Sequence, residues 1–441
     1  MIKIQRSEDL DTRFFDERNF DESFDTVRAV LTDVRQRGDD AIRELAARFD
    51  EASPHDFAVS EQTLFCAAAK LKKENPDLYD AIRFSRDQAV CFAQKQRECF
   101  TDFEEEIALG VFAGQQNIPV ERAGLYVPAG RFPLVSTVIM TSSPAVAAGV
   151  GEIILCTPPK RNPSGGSEPY CDQKVMAAAW ICGVRRVFAC GGAQAIAAMA
   201  FGTQTVPRVD IIAGPGNKFV AQAKRLVFGT VGIDMIAGPT EVFIIADESA
   251  DPAWLAADLL AQAEHDVLAQ PVLAVTSELL AHKVAEEIER QLETLSTKEV
   301  ARQSIDGCGL IIVAKSLEDA ARIANEKAPE HLELAMKAGE ERDKVRSLVH
   351  NFGSLFVGHS AAEVLGDYSA GINHTLPTSG SARFSGGLSV RSFLKTVTTL
   401  RADPTKDGFK RTAQTAAILG DAEGLAAHAQ AARLRVVEGE C

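Results

Sequence analysis

Four of the eight histidines stand beside a carboxylate or an amide and are candidates for site chemistry. They are His265, His331, His374 and His428, whereas His55, His282, His350 and His359 lie in polar surroundings typical of a surface. Zinc prefers about four nitrogen, sulfur or carboxylate ligands. An amide oxygen, two imidazoles and a carboxylate are available from Gln262, His265, Asp367 and His428. Because these residues are scattered, spacing alone leaves a metal site and ordinary hydrogen-bonded side chains both open.

A second candidate is the adjacent acid and imidazole Glu330-His331, which follow Pro329 and open an apolar run. Histidine titrates near neutral pH, as proton transfer between a substrate and a side chain requires. The pair therefore indicates a general base beside a carboxylate that activates water. A solvated turn after a helix is the alternative.

A helix must present the first two of the possible metal ligands. Asp251 is a suitable N-cap and Pro252 suits the first helical position. Leucines at 255, 259 and 260 provide the buried stripe. Gln262 and His265 are three residues apart at the far end, which predicts that they share one face. A polar cap at the helix end is the other reading of Gln262.

Glycine-rich turns offer a possible nucleotide site. The strand-like run Val209–Ile212 leads through Gly214-Pro215-Gly216-Asn217 into a helix start, where exposed backbone N–H groups suit an anionic or dinucleotide ligand. The chain contains neither G-x-G-x-x-G nor G-x-x-x-x-G-K-[ST] in its α/β region. A nicotinamide cofactor would therefore use this turn together with Tyr126 and the turn at residues 191–194.

Composition excludes several classes of function. The formal charge of −14 over 441 residues argues against a nucleic-acid surface, which needs clustered Lys and Arg. The chain shows no run as apolar and long as a membrane span, and its first residues lack a signal-peptide core. Nine cysteines without a C-x-x-C pair are typical of reduced thiols. These features predict a cytoplasmic globular protein.

Strands alternate with helices from about residue 105 onward, which predicts parallel sheets. We expect a helical N-terminal region over residues 1–104 and a first α/β domain over 105–236 on the cofactor side. A second α/β domain, carrying the metal and catalytic residues, is expected over 237–377. Residues 378–441 are expected to form a C-terminal helical segment that docks on a partner subunit.

Eight motifs in order resemble the histidinol dehydrogenase family and span Tyr126 to Ala429. They are GLYVPAG, GGAQAIAAMAFGT, DIIAGPGNKFVAQAKR, DMIAGPTEV, DLLAQAEHD, APEHLEL, GDYSAGINHTLPT and EGLAAHA. The resemblance implies a homodimer whose subunits have two incomplete Rossmann-like lobes. It also implies a zinc-containing enzyme that oxidises L-histidinol to L-histidine through an aldehyde, with two hydride transfers to NAD, as the last step of histidine biosynthesis.

The resemblance also implies roles for individual residues. The zinc ligands would be Gln262, His265, Asp367 and His428, and the acid–base pair Glu330 and His331. Those same four ligands and His331 would contact the substrate, together with Thr240, His374 and Glu423. Tyr126, Gln194 and Asn217 would contact NAD. The C-terminal segment would cross to the neighbouring subunit and place Glu423 and His428 in that subunit's site.

Three features depart from the family pattern. Thr240 stands where the family usually has Ser, and Arg131 where biosynthetic members more often have a small residue. The segment Gly386–Thr399 is similar to paralogues that oxidise other polar alcohols, such as sulfopropanediol. A paralogous zinc- and NAD-dependent dehydrogenase is therefore one alternative, and a non-catalytic metabolite-binding scaffold is another. Glu423 would suit a cationic substrate and favours histidinol.

Overall fold

The computed structural model describes residues 1–11, 14–15, 23–129, 133–163, 165–166 and 168–436. The strands are β1 Lys3–Arg6, β2 Ala58–Val59, β3 Phe103–Ala108, β4 Val111–Pro119, β5 Arg122–Tyr126, β6 Glu152–Thr157, β7 Arg186–Ala189, β8 Ile211–Ala213, β9 Gly232–Ile233, β10 Glu241–Ala246, β11 Gln270–Val275, β12 Leu310–Val313, β13 His331–Ala335, β14 Ser354–Val357 and β15 Leu394–Ala402.

The helices are α1 Phe24–Arg37, α2 Asp39–Phe49, α3 Glu61–Glu74, α4 Pro76–Glu98, α5 Val135–Ala148, α6 Gln173–Ile181, α7 Gly192–Phe201, α8 Lys218–Val227, α9 Pro252–Ala263, α10 Glu278–Leu292, α11 Lys298–Cys308, α12 Leu317–Lys327, α13 Glu340–Leu348, α14 Glu363–Tyr368, α15 Asp407–Ala422 and α16 Ala426–Arg433. None of the helices in these ranges is both long and apolar enough to cross a membrane.

The two main sheets share one topology. The first sheet has the order β2-β7-β6-β5-β8-β9 and the second β1-β12-β11-β10-β13-β14. Counted from β5 and from β10, each repeats the order 3-2-1-4-5 with parallel pairing. These are the first five positions of the doubly wound dinucleotide-binding sheet. The predicted α/β fold with two incomplete Rossmann-like lobes is thus confirmed.

Helices cover both faces of each sheet, which explains the nearly continuous apolar strands. In the first lobe α3 to α6 line one face and α1, α2, α7 and α8 line the other. In the second lobe α9 to α11 cover one face, while α12 and α13 cover the other. Every residue of β10 is buried, as a central strand between two helical layers requires.

Helices at both ends of the chain are confirmed, but both ends also contain strands that the sequence analysis missed. Within residues 1–104, β1 joins the second sheet and β2 the first. Within residues 378–441, β15 pairs antiparallel with β4, which also pairs with β3. Most side chains of β3 and β15 are exposed, so these strands show no apolar period. The division into four domains stays a prediction.

Candidate active site

The acid–base pair lies at the amino ends of two neighbouring strands in the second sheet. His331 is the first residue of β13 and pairs with Val242 of β10. Glu330 immediately precedes it, after α12 has ended at Lys327. The alternative of a solvated turn is therefore wrong for His331, which is buried in a strand. The apolar run after the pair is a buried central strand, and it anchors the imidazole in the sheet.

Glu330 is buried, with 6% of its surface exposed, in a pocket built by β10. Its Oε2 accepts hydrogen bonds from Thr240 Oγ1 at 2.5 Å and from the backbone N–H of Glu241 at 2.9 Å. Burial raises the pKa of Glu330 to about 7, since the charged form loses hydration. A carboxyl group with this pKa can both take up and release a proton near neutral pH.

The imidazole of His331 is held in one orientation. Its Nδ1 lies 3.0 Å from the carbonyl oxygen of Glu241, an acceptor that fixes the proton on Nδ1. Its Nε2 lies 3.6 Å from Asp367 Oδ1. Burial acts to lower the pKa of His331, but the charge of Glu330 and the carboxylates of Asp367 and Glu363 outweigh it and raise the pKa well above its ordinary value.

Gln262 is buried in the last turn of α9, where the sequence predicted a polar residue facing a site. In the amide orientation that satisfies its neighbours, its nitrogen donates to the two carboxylate oxygens of Glu363 at 2.8 and 2.9 Å. Its oxygen then lies 2.5 Å from Thr240 Oγ1 and 2.9 Å from the Glu241 nitrogen, so it shares the one hydroxyl proton and the one N–H with Glu330 Oε2. The hydroxyl of Thr240 therefore links the side chains of Gln262 and Glu330.

Sequence reasoning missed Glu363, the buried partner of Gln262. Burial raises the pKa of Glu363 well above its ordinary value. It stands in the first turn of a six-residue helix, α14, and nothing in the local pattern distinguishes it from a surface acid. Its partner lies about a hundred residues earlier in the chain, so only the fold reveals the contact.

Asp367 and two histidines form the polar wall next to His331. Burial acts to raise the pKa of Asp367, but its contact with His331 and the nearby His374 and His265 lower it below the ordinary value. Burial lowers the pKa of His374. Asp367 Oδ1, His331 Nε2 and His374 Nε2 are buried without a hydrogen-bond partner among the described residues. Buried polar atoms left in this state call for a ligand or an ion.

The predicted zinc ligands are only partly brought together. Gln262 and Asp367 belong to this pocket, and His265 follows the end of α9 close enough to affect the pKa of Asp367. His428 and Glu423, by contrast, are exposed on α16 and at the end of α15. Within the described ranges no three His, Cys, Asp or Glu side chains are arranged to hold a metal ion. One chain thus supplies amide, imidazole and carboxylate donors that fit zinc, but an incomplete set.

The three predicted cofactor residues follow the carboxyl ends of strands in the first sheet. Tyr126 ends β5, and its hydroxyl accepts a hydrogen bond from the N–H of Gly192 at 3.0 Å. Gln194 lies in the first turn of α7, after β7. Asn217 caps α8, after β8, and accepts from the N–H groups of residues 219 and 220. Ligands of doubly wound sheets bind at this edge, at the switch point of the strand order between the paired strands β5 and β8.

The Gly214 turn packs directly on β5. Gly214 has a φ of +122°, and a Cβ built on it would lie 2.1 Å from the carbonyl oxygen of Tyr126. Its N–H donates to Asp234 Oδ2 at 2.7 Å, and its carbonyl accepts from Lys224 Nζ at 3.0 Å. Lys224 and Asp234 are themselves ion-paired and almost fully buried. The turn is therefore held from both sides, and its tight backbone approach suits a pyrophosphate.

Sequence reasoning also missed Lys224 and Asp234. A signal was available, because Lys224 falls in the buried stripe of α8 with Val220, Ala223 and Val227. A lysine in such a stripe is rarely buried without a charged partner. The position of that partner could not be read from the sequence. Arg131, whose side chain was of interest for substrate choice, lies outside the described residues.

Two lobes with doubly wound sheets, a glycine turn at a strand switch point and the buried neighbours Glu330 and His331 are features of an α/β enzyme. The chain belongs to the histidinol dehydrogenase family, whose sequence model matches residues 15–436. It is 45% identical to histidinol dehydrogenase of Aquifex aeolicus over 412 residues, covering 93% of this chain and 92% of that protein. It is 42% identical to the Gluconobacter oxydans enzyme over 429 residues, covering 97% and 95%.

The fold agrees with a solved structure of this family. The crystal structure of histidinol dehydrogenase from Elizabethkingia anophelis superimposes with a TM-score of 0.89 at 33% identity. The match covers 99% of this chain and 98% of that one. The family resemblance expected from the eight motifs is therefore confirmed.

The segment Gly386–Thr399, read as similar to paralogues for other alcohols, has a packing role. Val390 and Phe393 are fully buried in the core of the first lobe. Leu394 opens β15, and the Thr396 hydroxyl donates to the Asn117 side chain in β4. Because these side chains are committed to the core and the third sheet, they are no guide to the substrate.

Proposed function

We propose that this chain oxidises L-histidinol to L-histidine in two steps, using NAD. The observation that carries the proposal is the buried pair Glu330–His331 beside Asp367, whose Oδ1 has no hydrogen-bond partner in the described chain. Burial gives Glu330 proton-transfer chemistry near neutral pH, and the neighbouring side chains suit a cation that holds a nitrogenous alcohol. All of the relatives named above are histidinol dehydrogenases.

His331 removes the hydroxyl proton in the first step. Its Nδ1 is committed to the Glu241 carbonyl, so Nε2 is the atom that faces the substrate. Accepting a proton there places a positive charge between Glu330 and Asp367, whose carboxylates stabilise it. NAD, when bound, would supply the hydride acceptor for the carbon that bears this hydroxyl, and a second NAD would supply the acceptor in the second step.

Glu330 serves the second step, which converts the aldehyde to the acid. The aldehyde must first add water, and water must lose a proton as its oxygen bonds to the carbonyl carbon. A carboxylate with a pKa of about 7 is a suitable acceptor for that proton. The Thr240 hydroxyl and the Glu241 N–H hold the carboxylate in place, so it acts without rearrangement.

Zinc is held, in this proposal, by Gln262, His265 and Asp367 of one subunit and by His428 of a second copy. A zinc ion held there would mainly orient the substrate. The apolar side chains of Ile418, Leu419 and Leu434 are largely exposed on the α15–α16 hairpin, which favours docking of this hairpin on another subunit. A homodimer with shared sites would complete the ligand set that one chain leaves incomplete.

The first experiment compares substrates and a base variant. NAD reduction should be seen with histidinol and should be lost in His331→Asn while bound zinc, measured by atomic emission, stays unchanged. Chelation should abolish turnover, and added zinc should restore it. Reduction with sulfopropanediol but not histidinol would replace the proposed substrate, and reduction with neither alcohol would favour the scaffold alternative.

The second experiment tests the shared site. His331→Asn and His428→Ala are each expected to be inactive alone. Random pairing in a two-fold dimer makes half of the dimers mixed, and each mixed dimer has one intact site, so about one quarter of the activity should return. Remixing two preparations of His331→Asn is the matched control. No recovery in mixed dimers verified by tag pull-down would contradict a site built from two chains.

A further inference from the structure

Asp50 brings a carboxylate to the carboxyl edge of the first sheet. It follows the last residue of α2, and its Oδ2 accepts a hydrogen bond from Gln194 Nε2 at 3.2 Å. Its Oδ1 lies 3.0 Å from the position that a Cβ would take on Gly191. Pro158 Cγ lies 2.8 Å from the same position. The carboxylate is thus wedged between the residues that follow β6 and β7.

The fold gives this carboxylate no cationic partner. Within the described residues Asp50 forms a hydrogen bond with the neutral amide of Gln194 and takes part in no ion pair. Burial raises the pKa of Asp50 to about 6, against the opposing effect of the Gln194 amide. A half-buried carboxylate without a counter-charge is unfavourable for stability, which points to a role in binding.

Its position matches that of the ribose-binding acid in doubly wound lobes. In those lobes an acidic residue near the end of the second strand accepts a hydrogen bond from the 2′-hydroxyl of NAD. Here the second strand of the lobe is β6, and it is followed by two prolines, Pro158 and Pro159, which offer no carboxylate. Asp50 directly follows α2, which precedes the alternating strands and helices of the lobe, and it reaches the same place from there.

The charge of Asp50 also makes the start of α7 a less favourable place for a phosphate than the start of α8. A carboxylate next to the first turn of α7 repels phosphate. The Gly214 turn and the start of α8 carry no such carboxylate contact, apart from the Asp234 bond on the far side of Gly214. A dinucleotide therefore has its pyrophosphate at the Gly214 turn and a ribose at Asp50.

We propose that Asp50 binds a hydroxyl of the adenosine ribose of NAD and thereby selects NAD over NADP. The inference rests on the proposed use of a nicotinamide cofactor. The 2′-phosphate of NADP would bring its charge against a half-buried carboxylate whose Oδ1 lies beside the backbone of Gly191. Gln194 holds the carboxylate on its other side.

The test measures binding of NADH and NADPH by fluorescence titration without any alcohol, in wild type and in Asp50→Asn. Loss of a hydrogen bond to a charged acceptor should weaken NADH roughly tenfold, and loss of the repulsion should strengthen NADPH. The ratio of the two affinities should therefore fall by more than about tenfold. Asp56→Asn, an exposed change of the same type six residues along, should leave the ratio unchanged.

Gln194→Leu separates a direct contact from an indirect one. If Asp50 touches the ribose, this variant weakens both cofactors alike and keeps the preference for NADH. If Asp50 acts only by orienting Gln194, the two single variants and the double variant bind alike, and the proposal fails. An unchanged NADH/NADPH ratio in Asp50→Asn also overturns it. Should that variant not fold, Asp50→Glu, which keeps the charge, must keep the NADH preference.

Because the titration contains no alcohol, it tests the role of Asp50 in cofactor binding independently of the proposed reaction. A wild-type protein that binds NADH but reduces NAD with no alcohol would contradict the reaction and leave the Asp50 test intact. A protein that oxidises histidinol yet shows the same cofactor ratio with and without the Asp50 carboxylate would contradict the Asp50 assignment alone.

Discussion

Asp234→Asn is expected to be the most damaging single change in the first lobe. The side chains of Lys224 and Asp234 have 2% and 0% of their surface exposed, so neither charge can recover hydration after its partner is removed. In the variant, the ammonium of Lys224 keeps the Gly214 carbonyl as an acceptor but loses its counter-charge. Removing one partner of a buried pair costs about 3–5 kcal/mol of unfolding free energy.

The reverse change is expected to cost less. After Lys224→Met, the carboxylate of Asp234 still accepts from the N–H groups of Gly214 and Met235, both at 2.7 Å. Hydrogen bonds to a charged group are worth about 1.5–3 kcal/mol each, so the stranded charge is partly stabilised. We therefore expect a loss of about 2 kcal/mol. The double variant should lose much less than the sum of the two.

Urea unfolding followed by tryptophan fluorescence can measure this lobe selectively. The chain has two tryptophans, Trp180 on α6 of the first lobe and Trp254 on α9 of the second. In a Trp254→Phe background the remaining signal reports the first lobe. NADH titration of the same proteins should show weaker binding, because the Gly214 turn loses one of its two supports.

Comparing the stability losses of Asp234→Asn and Lys224→Met tests this explanation. If Lys224→Met destabilises the first lobe as much as Asp234→Asn or more, the backbone donors do not stabilise the carboxylate as argued. If both variants stay within about 1 kcal/mol of wild type, the pair is hydrated in solution and does not hold the turn.

Three further outcomes are expected. Gly214→Ala should lose more than about 2 kcal/mol in denaturant unfolding and lower NADH affinity, because its Cβ meets the Tyr126 carbonyl at 2.1 Å. Gly229→Ala, with φ +95° and no atom within 4 Å of its Cβ, controls for backbone strain alone. If Glu330 is the base of the aldehyde step, as proposed, its pKa of about 7 predicts that kcat/KM measured with the aldehyde as substrate falls as pH drops below that value, and Glu330→Gln should lose this limb of the profile. Burial raises the pKa of Asp50 from 3.8 to about 6, so the folded state favours the protonated carboxyl group. The charged carboxylate therefore lowers the stability of the protein progressively as pH rises through this range. Discounted for partial exposure, Asp50→Asn should raise stability by about 1 kcal/mol at about pH 8, with no gain at about pH 4 in thermal melts.

Elements with local signals were predicted well. The Asp251 cap, the proline at the first position and the leucine stripe specify α9, and all three are found there. The alternation of strands and helices expected from about residue 105 onward is found as well. In each case the apolar period and its end lie within a dozen residues, so no distant contact is needed to recognise them.

Strand β13 shows where local patterns fail. Its sequence HLELA contains a histidine and a glutamate, yet every residue of it is buried. A polar residue in a central strand violates the apolar rule, and such violations mark functional sites. The imidazole of His331 tolerates burial because Glu330 and Asp367 lie on either side of it, and no local pattern indicates that Asp367 contacts it.

Long-range contacts explain the remaining omissions. Asp50 meets Gln194 across 144 positions, and Asp234 meets Gly214 across 20. A sequence pattern records neither pairing, since each partner is unexceptional within its own segment. The gathering of Gln262, His265 and Asp367 was predicted through the family resemblance, whereas the place of His428 depends on a second copy and stays a prediction.

The pairing of β1 with β12 has a consequence for the order in which the molecule can be built. Lys3 to Arg6 align with Leu310 to Val313, so the edge of the second sheet is synthesised first and its neighbour just over three hundred residues later. The nascent chain emerges at about 5–20 residues per second, so β1 must stay unpaired while the first lobe is synthesised and folds. Removing residues 1–6 should therefore damage the lobe that is made last, and separating the lobes at residue 236 should yield two fragments that each need the other.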